Sequence, residues 1–452
     1  MRTREDCIAL DARDPLAALR DRFALPEGIV YLDGNSLGAL PKTTAARLES
    51  VVRAEWGTGL IGSWNTAGWI DLAQRIGDRI APLVGVGPGE LTVADSTSIN
   101  LYKVLSTAAA IAKADAPARK LIVSERGNFP TDLYIADSVV RQHGLELKLV
   151  EPGQIAAHLD DRLAVLMLTH VDYRSGRMHR MADVTRAAHD AGALMVWDLA
   201  HSAGALPVNL LGTQDDEAAD FAVGCGYKYL NGGPGAPAFV WAHPKHTQRM
   251  DAAGWRQPLS GWLGHAAPFE FSADYRPAAG IHRFVCGTPP ILALAALECG
   301  VEVFEAAAAY GGLDTLRAKS IALCELFIEQ AEARCAGLGI ELVSPRNAAE
   351  RGSQVSFAHP TAGYPIMQAL IARGVIGDFR APDILRFGFT PLYTRYIDVH
   401  DAVEHLAAVL QCGEWRESRF NQRAVVIGEP HERSAPPLRR RRALQCKARR
   451  PQ

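Results

Sequence analysis

Short apolar runs recur through the middle of the chain, and each ends in polar residues or glycine. The runs cover residues 120–124, 163–170, 194–198, 221–224 and 238–241. An alanine-rich segment with helical character, 182–192, separates the second run from the third. Continuous apolar runs alternating with helices are typical of buried strands in a mostly parallel α/β sheet. Only a glycine-rich bend separates the fourth run from the fifth, which predicts an antiparallel return.

The C-terminal part of the chain has a different pattern. Long helices are predicted over 289–309 and 313–336, and a final amphipathic helix over 402–410. Between them, the segments 354–357, 375–379 and 384–387 alternate like strands, with a helical segment at 367–372. Mixed short strands and helices of this kind indicate a small α+β domain.

The length predicts more than one domain, because the chain has 452 residues and single cores tend to split beyond about 250–300 residues. We expect an N-terminal segment, 1–45, that contributes to the small domain and the active site. A large domain over 46–310 and the small α+β domain over 311–415 follow. The arginine-rich stretch at 420–452 is predicted to be a disordered basic tail.

Composition excludes several functional classes. Apolar residues make up 48% and charged residues 22%, with a formal net charge of −2, which favours neither a nucleic-acid nor a membrane partner. No apolar run reaches the ~18 residues of a membrane span, and the N-terminus lacks a secretory apolar segment. The eight cysteines are scattered without a C-x-x-C pair. A reduced, cytoplasmic chain without a metal site is predicted.

The residues after the predicted strands carry the candidate chemistry. Lys228 lies between two tyrosines, ahead of a glycine-rich bend, and Asp198 ends an earlier apolar run. Pyridoxal 5′-phosphate (PLP) requires an amine for a Schiff base and a carboxylate that keeps its ring nitrogen protonated. In parallel sheets, ligands bind at the carboxyl ends of the strands, where Ser124, Thr169 and Tyr227 also fall. This convergence predicts a PLP site.

Several segments also match a known family. They are YLDGNSLG (31–38), NFPTD (128–132), WDLAH (197–201), GYKYLN (226–231), GWLGH (261–265) and TPP (288–290). With these segments, the chain resembles the kynureninase family over about residues 31–410. The resemblance implies the fold type I (PLP-dependent transferase-like) large domain with a mostly parallel sheet, plus a small α+β domain. It also implies hydrolytic Cβ–Cγ cleavage of L-kynurenine to anthranilate and L-alanine in tryptophan degradation, by a homodimer.

The family's roles carry over onto matching positions. The implied catalytic residues are Lys228, Tyr227 and Asp198. The implied cofactor-binding residues are Thr97, Ser98, Phe129, Pro130, Thr131, Asp132, Thr169, Asp198, His201, Tyr227, Lys228, Trp262 and Thr288. Hydroxyls and amides at a helix N-terminus bind phosphate well, but plain helix capping also explains Thr97 and Ser98. In a dimer, Trp262 and Thr288 are expected to reach in from the partner subunit.

The implied substrate-binding residues are Trp64, Asn35 and Arg386. A guanidinium suits the substrate's α-carboxylate, although Arg386 could instead be a surface arginine on a strand. Family members that prefer 3-hydroxykynurenine tend to carry histidine and asparagine at the positions of Trp64 and Thr288. We therefore expect L-kynurenine to be the better substrate.

Two alternatives remain open at this point. The first is another fold type I enzyme, such as a cysteine desulfurase or selenocysteine lyase, which needs a reactive cysteine on a mobile loop. The second is a PLP-fold protein that only senses a ligand. Such a sensor usually carries a DNA-binding segment, and about 30 residues before Tyr31 are too few for one.

Overall fold

The computed structural model describes residues 2–422, so the predicted disordered tail lies outside the described residues from 423 onward. Its α-helices are Arg4–Asp11 (α1), Thr43–Ser50 (α2), Ser63–Thr66 (α3), Trp69–Ile80 (α4), Thr97–Asp115 (α5), Pro130–His143 (α6), Met181–Asp190 (α7), Pro244–Ala253 (α8), Ile291–Ala308 (α9), Gly312–Arg334 (α10), Gly363–Ala372 (α11), Tyr396–Cys412 (α12) and Ser418–Asn421 (α13). Its strands are Val30–Tyr31 (β1), Leu91–Val93 (β2), Leu121–Glu125 (β3), Glu146–Val150 (β4), Leu163–Thr169 (β5), Leu194–Asp198 (β6), Phe221–Gly224 (β7), Phe239–Ala242 (β8), Glu341–Leu342 (β9), Gln354–Ala358 (β10), Val375–Ile376 (β11), Asp378–Arg380 (β12) and Ile384–Gly388 (β13).

A seven-stranded sheet forms the centre of the larger part of the molecule, in the order β2-β8-β7-β6-β5-β3-β4. Strands β4, β3, β5, β6 and β7 are parallel, whereas β8 is antiparallel to both β7 and β2. The five predicted runs are confirmed as β3, β5, β6, β7 and β8, including the antiparallel return. Strands β2 and β4 were not predicted.

Both faces of this sheet are covered, which explains the continuous apolar runs. Along β6, Met195 and Trp197 pack in the core on one face, and Val196 packs in the core on the other. The indole Nε1 of Trp197 donates to Thr185 Oγ1 at 3.1 Å, so this buried polar group is satisfied. In β5 and β6, the polar residues Thr169 and Asp198 are at the ends of the strands.

A second, four-stranded antiparallel sheet has the order β12-β13-β10-β9, and α10, α11 and α12 share its apolar core. The predicted single strand over 375–379 is wrong in one respect: it is two strands in different sheets. Strand β11 pairs with β1 instead. The break falls at Gly377, where a Cβ would lie 2.9 Å from both Met367 Cε and Phe387 Cδ1. Close packing therefore requires glycine at the crossover.

The N-terminal segment packs against this second sheet. The carboxylate of Asp11 accepts hydrogen bonds from the backbone N–H groups of Tyr396 (2.7 Å) and Ile397 (3.0 Å) at the start of α12. Beyond β1, Leu32 O accepts from Gly388 N at 2.7 Å. The chain from Asp33 onward is thus brought beside β13. The domain boundaries themselves stay a prediction.

Within residues 2–422, no helix combines the length and apolar character needed to cross a membrane.

Candidate active site

A cavity of about 180 Å³ lies at the carboxyl ends of β5, β6 and β7. It collects most of the residues that the sequence placed in a cofactor site. Its lining residues are Ser96, Thr97, Ser98, Phe129, Thr131, Asp132, Thr169, Tyr173, Asp198, Ala200, His201, Tyr227 and Lys228. Ser96, Tyr173 and Ala200 were not among the predicted site residues, and Pro130 was predicted but does not line the cavity.

The amine of Lys228 lies in this cavity. Its Nζ lies 3.0 Å from Nε2 of His201 and 6.0 Å from the centroid of the Phe129 ring. The turn that carries Lys228 is braced by Gly38, whose N–H donates to Tyr227 O at 2.8 Å. A Cβ at Gly38 would lie 2.3 Å from Lys228 O, so the approach of the two segments requires glycine here.

His201 is buried, and burial followed by the charge of Lys228 holds its pKa well below its usual range. A neutral ring that accepts a hydrogen bond at Nε2 carries its proton on Nδ1. That Nδ1 is buried and has no hydrogen-bond partner among residues 2–422. His201 therefore has a buried N–H group whose acceptor is not supplied by the described chain.

Two buried carboxyl groups face the same space. Asp132 Oδ2 and Asp198 Oδ2 each lie 3.4 Å from the hydroxyl of Thr169. Burial, and then the charge of Asp198, raise the pKa of Asp132 well above its usual value. Burial also raises the pKa of Asp198, which is opposed first by the charge of Lys228 and then by the N–H of Ala200 at 2.8 Å. Asp198 is thus the better candidate for the ionised member of the pair.

Asn128, which the sequence matched to the family but did not assign a role, fixes this arrangement. Its Oδ1 accepts from Phe129 N at 2.7 Å and from the Thr169 hydroxyl, and its Nδ2 lies 3.2 Å from Ser124 Oγ. Pro130 then begins α6, where its lack of an N–H costs nothing. The Phe129 ring, 41% exposed, is left beside Lys228.

The N-terminus of α5 forms another wall. Ser96 is the capping residue and accepts from Ile99 N at 3.4 Å. The helix cap is therefore supplied by Ser96, and the side chains of Thr97 and Ser98 line the cavity. Unpaired amides and hydroxyls at a helix N-terminus attract phosphate.

A fully buried lysine holds the turn before α5. Lys103 Nζ donates to the carboxylate of Asp95 and to the carbonyl of Phe284, and lies 3.2 Å from Asn100 Oδ1. Asp95 has φ +47°, in the left-handed region. The ion pair thus stabilises an unfavourable backbone conformation next to the candidate phosphate site. Sequence reasoning missed Lys103 because it lies within a helix that is otherwise largely apolar.

Three features of these residues suit PLP. An amine, a pair of buried carboxyl groups and a helix N-terminus line one cavity. Burial raises the pKa of both Asp132 and Asp198, the charge of Lys228 lowers the pKa of both, and a protonated ring nitrogen would add a direct partner for the pair. The buried Nδ1 of His201 lacks an acceptor among residues 2–422.

Arg386 and Asn35 lie together beside Tyr173, which lines the cavity, but neither of them lines it. Arg386 is 1% exposed, and its Nη1 donates to the carbonyl of Tyr173 at 2.7 Å. The Tyr173 ring in turn meets Phe129 edge-on, with centroids 5.4 Å apart. With its amide oxygen toward Arg386, Asn35 accepts from Nε at 3.1 Å. Arg386 is thus a buried arginine rather than a surface one.

Trp64, Trp262 and Thr288 form a separate group. Trp262 Nε1 lies 3.3 Å from Thr288 Oγ1, and the ring centroids of Trp64 and Trp262 are 6.4 Å apart. None of the three lines the Lys228 cavity of the same chain. They adjoin an apolar groove of about 420 Å³, lined by Val51, Trp56, Trp69 and residues 290–293.

The comparisons with known proteins point to one family and cover almost the whole chain. A family model described as the kynureninase C-terminal domain matches residues 316–406. A kynureninase of Burkholderia pseudomallei (strain 1106a) is 55% identical over 429 residues, which cover 94% of this chain and 100% of that protein. A kynureninase of Pseudomonas fluorescens is 52% identical over the same shares of each chain.

Among solved structures, the chain is similar to an apo cysteine desulfurase from Thermococcus onnurineus NA1. The TM-score is 0.71 at 19% identity, covering 87% of this chain and 98% of that one. At this identity, the likeness shows the fold alone.

Proposed function

The chain belongs to the kynureninase family, and we propose that Lys228, Asp198 and Tyr227 perform the family's reaction in the cavity described above. As a family member, it is a PLP-dependent hydrolase that cleaves the Cβ–Cγ bond of L-kynurenine to anthranilate and L-alanine. The fold is that of the type I PLP-dependent enzymes. The observation that carries the residue assignment is the presence of the Lys228 amine and two buried carboxyl groups in one cavity.

Each residue contributes a defined step. When bound, PLP supplies an electron sink for charge that develops on the substrate. Asp198 would hold the positive charge of the ring nitrogen, and Phe129 would cover a ring face. The amine of Lys228 would be the base that moves a proton from Cα of the substrate. The neutral His201 orients Lys228 Nζ through the 3.0 Å contact without competing for its proton.

Tyr227 is a protonated but weak acid beside the Lys228 amine. Burial, and then nearby negative charge, raise the pKa of its phenol above the usual value, so the hydroxyl stays protonated at neutral pH. Lys228 Nζ lies 5.5 Å from the centroid of its ring. We assign Tyr227 the protonation of Cβ after the carbon–carbon bond breaks, and Arg386 the binding of the substrate's α-carboxylate.

A homodimer completes the site in this proposal. Trp64, Trp262 and Thr288 lie outside the cavity of their own chain, beside an apolar groove with exposed Trp56 and Leu292. Exposed apolar patches of this kind mark protein interfaces. A second copy that brings this group over the cavity would supply an aromatic wall for the aniline ring of the substrate. Mixing Lys228→Ala chains with Trp64→Ala chains should then restore activity in hybrid dimers.

The proposed substrate is L-kynurenine rather than its 3-hydroxy derivative. Trp64 offers no hydrogen-bond acceptor to a ring hydroxyl, and Thr288 Oγ1 already faces Trp262 Nε1. A higher kcat/KM for 3-hydroxykynurenine would overturn this preference.

No observation favours a cysteine desulfurase. That reaction needs an accessible thiolate near the cofactor. Cys225 is the cysteine nearest Lys228 in sequence, but it is buried, its Sγ lies 3.6 Å from Ala200 O, and burial raises the pKa of its thiol. Cys412 is exposed but lies at the end of α12. The cysteines among residues 2–422 are free, which still favours the proposed cytoplasmic location.

The test is a turnover assay. Purified protein with added PLP is incubated with L-kynurenine, and anthranilate is followed by its fluorescence. We expect anthranilate and L-alanine in equal amounts. Lys228→Ala should abolish this, whereas Lys113→Ala, at an exposed lysine in the last turn of α5, should not. Full turnover in Lys228→Ala would contradict the assignment.

A further inference from the structure

The carboxylate-binding arginine is already paired with an aspartate of its own sheet. Asp378 on β12 and Arg386 on β13 are direct cross-strand partners, and Arg386 Nη2 lies 2.6 Å from Asp378 Oδ2. Arg380, two residues along β12 and on the same face as Asp378, places its own Nη2 2.6 Å from the same oxygen. The strand register therefore fixes one carboxylate oxygen between two guanidinium groups.

Nearly all donors of Arg386 are in use. Nε faces Asn35 at 3.1 Å, Nη1 donates to Tyr173 O, and Nη2 donates to both Ser36 Oγ and Asp378 Oδ2 at 2.6 Å. A guanidinium has five N–H groups, and a bidentate carboxylate needs two of them. A substrate carboxylate must therefore take over at least one N–H that the described chain now uses.

The two partners of Nη2 respond differently to an incoming anion. The hydroxyl of Ser36 is neutral, whereas the carboxylate of Asp378 would repel a second carboxylate. Arg386 is 1% exposed, so this repulsion is weakly screened. Arg380, whose side chain is 35% exposed, is the cation that can keep the charge of Asp378 balanced when Arg386 turns to the substrate.

We propose that Arg380 is a positioning residue for substrate binding: it holds the charge of Asp378, so that Arg386 can pair with the α-carboxylate of an amino acid. This rests on the proposed function of Arg386. Arg380 acts through Asp378 and does not contact the substrate itself. The ion pair of Arg380 and Asp378 therefore affects the affinity for a carboxylate-bearing ligand and leaves the chemistry at Lys228 unaltered.

The experiment is a double-mutant cycle on the holoenzyme. Arg380→Met should raise KM for L-kynurenine on the order of tenfold, with kcat nearly unchanged. In the Asp378→Asn background, where no charge needs to be held, Arg380→Met should change KM less than about twofold. Arg380→Lys, which keeps the charge, should retain most of the wild-type affinity. Arg373→Met is the matched control, because Arg373 is similarly exposed and pairs with Glu414 away from the site.

Two ligands report on binding without turnover. L-Alanine carries the α-carboxylate, and kynuramine is L-kynurenine without it. Their dissociation constants, read from the visible absorbance of bound PLP, should change for L-alanine in Arg380→Met and stay constant for kynuramine. These readings hold even if L-kynurenine is not turned over, a result that would refute the proposed function alone.

Three outcomes would overturn the proposal. Equal losses in both Asp378 backgrounds would mean that Arg380 contacts the substrate directly. An unchanged KM and an unchanged L-alanine affinity in Arg380→Met would mean that Arg380 has no role in binding. If Asp378→Asn fails to fold, as thermal unfolding would show, the comparison of Arg380→Lys with Arg380→Met decides: equal losses in both would show that charge is irrelevant.

Discussion

Nζ of Lys228 and Nε2 of His201 lie 3.0 Å apart in the cavity at the carboxyl ends of the central strands. Because burial keeps His201 neutral, the contact is a hydrogen bond from an amine to an imidazole rather than a repulsive pair of cations. It orients the amine and leaves Nδ1 as a donor without an acceptor among residues 2–422. Neither consequence depends on the substrate.

This relationship predicts a role for His201 in cofactor affinity. His201→Leu removes both nitrogen atoms, and hydrogen bonds to charged groups contribute about 1.5–3 kcal/mol. PLP affinity should therefore fall about tenfold or more. His201→Gln, which can still hydrogen-bond, should lose less. Titration of the apoprotein with PLP, followed by visible absorbance, measures both; equal affinities for wild type and His201→Leu would contradict the interpretation.

The buried carboxyl groups should differ in importance. Asp198→Asn removes the charge proposed to face the ring nitrogen, and activity should fall about a hundredfold or more, as for other electrostatic contacts in active sites. Asp132→Asn replaces a group whose pKa is already raised well above its usual value, so the loss should stay below about tenfold. The measurement is kcat/KM for L-kynurenine at saturating PLP. The reverse order would mean that Asp132 carries the charge.

Substrate affinity should depend on pH through Asp33. Burial, followed by the charge of Asp378, raises the pKa of Asp33 to about 7, although Arg386, 4.0 Å away, and Arg380 oppose this. Above pH 7, Asp33 becomes charged and competes with the α-carboxylate for Arg386. KM should therefore rise as the pH increases from 6 to 8.5, and Asp33→Asn should flatten this rise.

A cluster far from the cavity should govern stability against pH. The carboxylate of Asp220 is fully buried and meets His189 at 2.9 Å, His246 at 2.7 Å and Lys245 at 2.8 Å. Burial opposes its charge, but these partners, His189 first, lower the pKa of Asp220. For His189, burial lowers the pKa, yet Asp220 outweighs it and the net pKa is raised.

The direction of each pH effect on stability follows from the difference between the folded and unfolded pKa values of the group. The lowered pKa of Asp220 stabilises the fold above about pH 4, the pKa of an unfolded aspartate, and this is lost in stronger acid. The raised pKa of His189 stabilises the fold below about pH 6.5 and is lost as the pH rises through the folded pKa. Asp220→Asn should therefore lower the free energy of unfolding most near pH 5–6, by on the order of 3 kcal/mol. Urea unfolding at pH 5.5 and 8.5 measures this; equal losses at both would exclude a contribution from His189.

The apolar pattern predicted the strands that are buried on both faces but not those at the margins of the sheet. Strand β4 alternates Glu146 and Lys148 with apolar residues because it is an edge strand. Strand β2 has only three residues, too few for a periodic signal. The predicted strand at 375–379 was wrong because its first half pairs with β1 and its second half with β13, and pairing with segments distant in sequence leaves no local signal.

For the site, sequence position predicted the residues that follow strands, namely Thr169, Asp198 and Lys228, because parallel strands end at one edge. It could not predict contacts between distant segments. The pairing of Asp378 with Arg386 depends on the register of β12 and β13. Tyr173 reaches the cavity from a loop beyond β5, and its bond with Arg386 uses the backbone carbonyl, for which the sequence gives no signal.

The central claim is that the amine of Lys228 holds PLP opposite the buried carboxyl groups. The most direct test is to reduce the holoenzyme with borohydride, digest it, and locate the pyridoxyl group by mass spectrometry. The account predicts the added mass on the peptide containing Lys228 and its loss in Lys228→Ala. A pyridoxyl group on another lysine, or none on Lys228 in active enzyme, would contradict it.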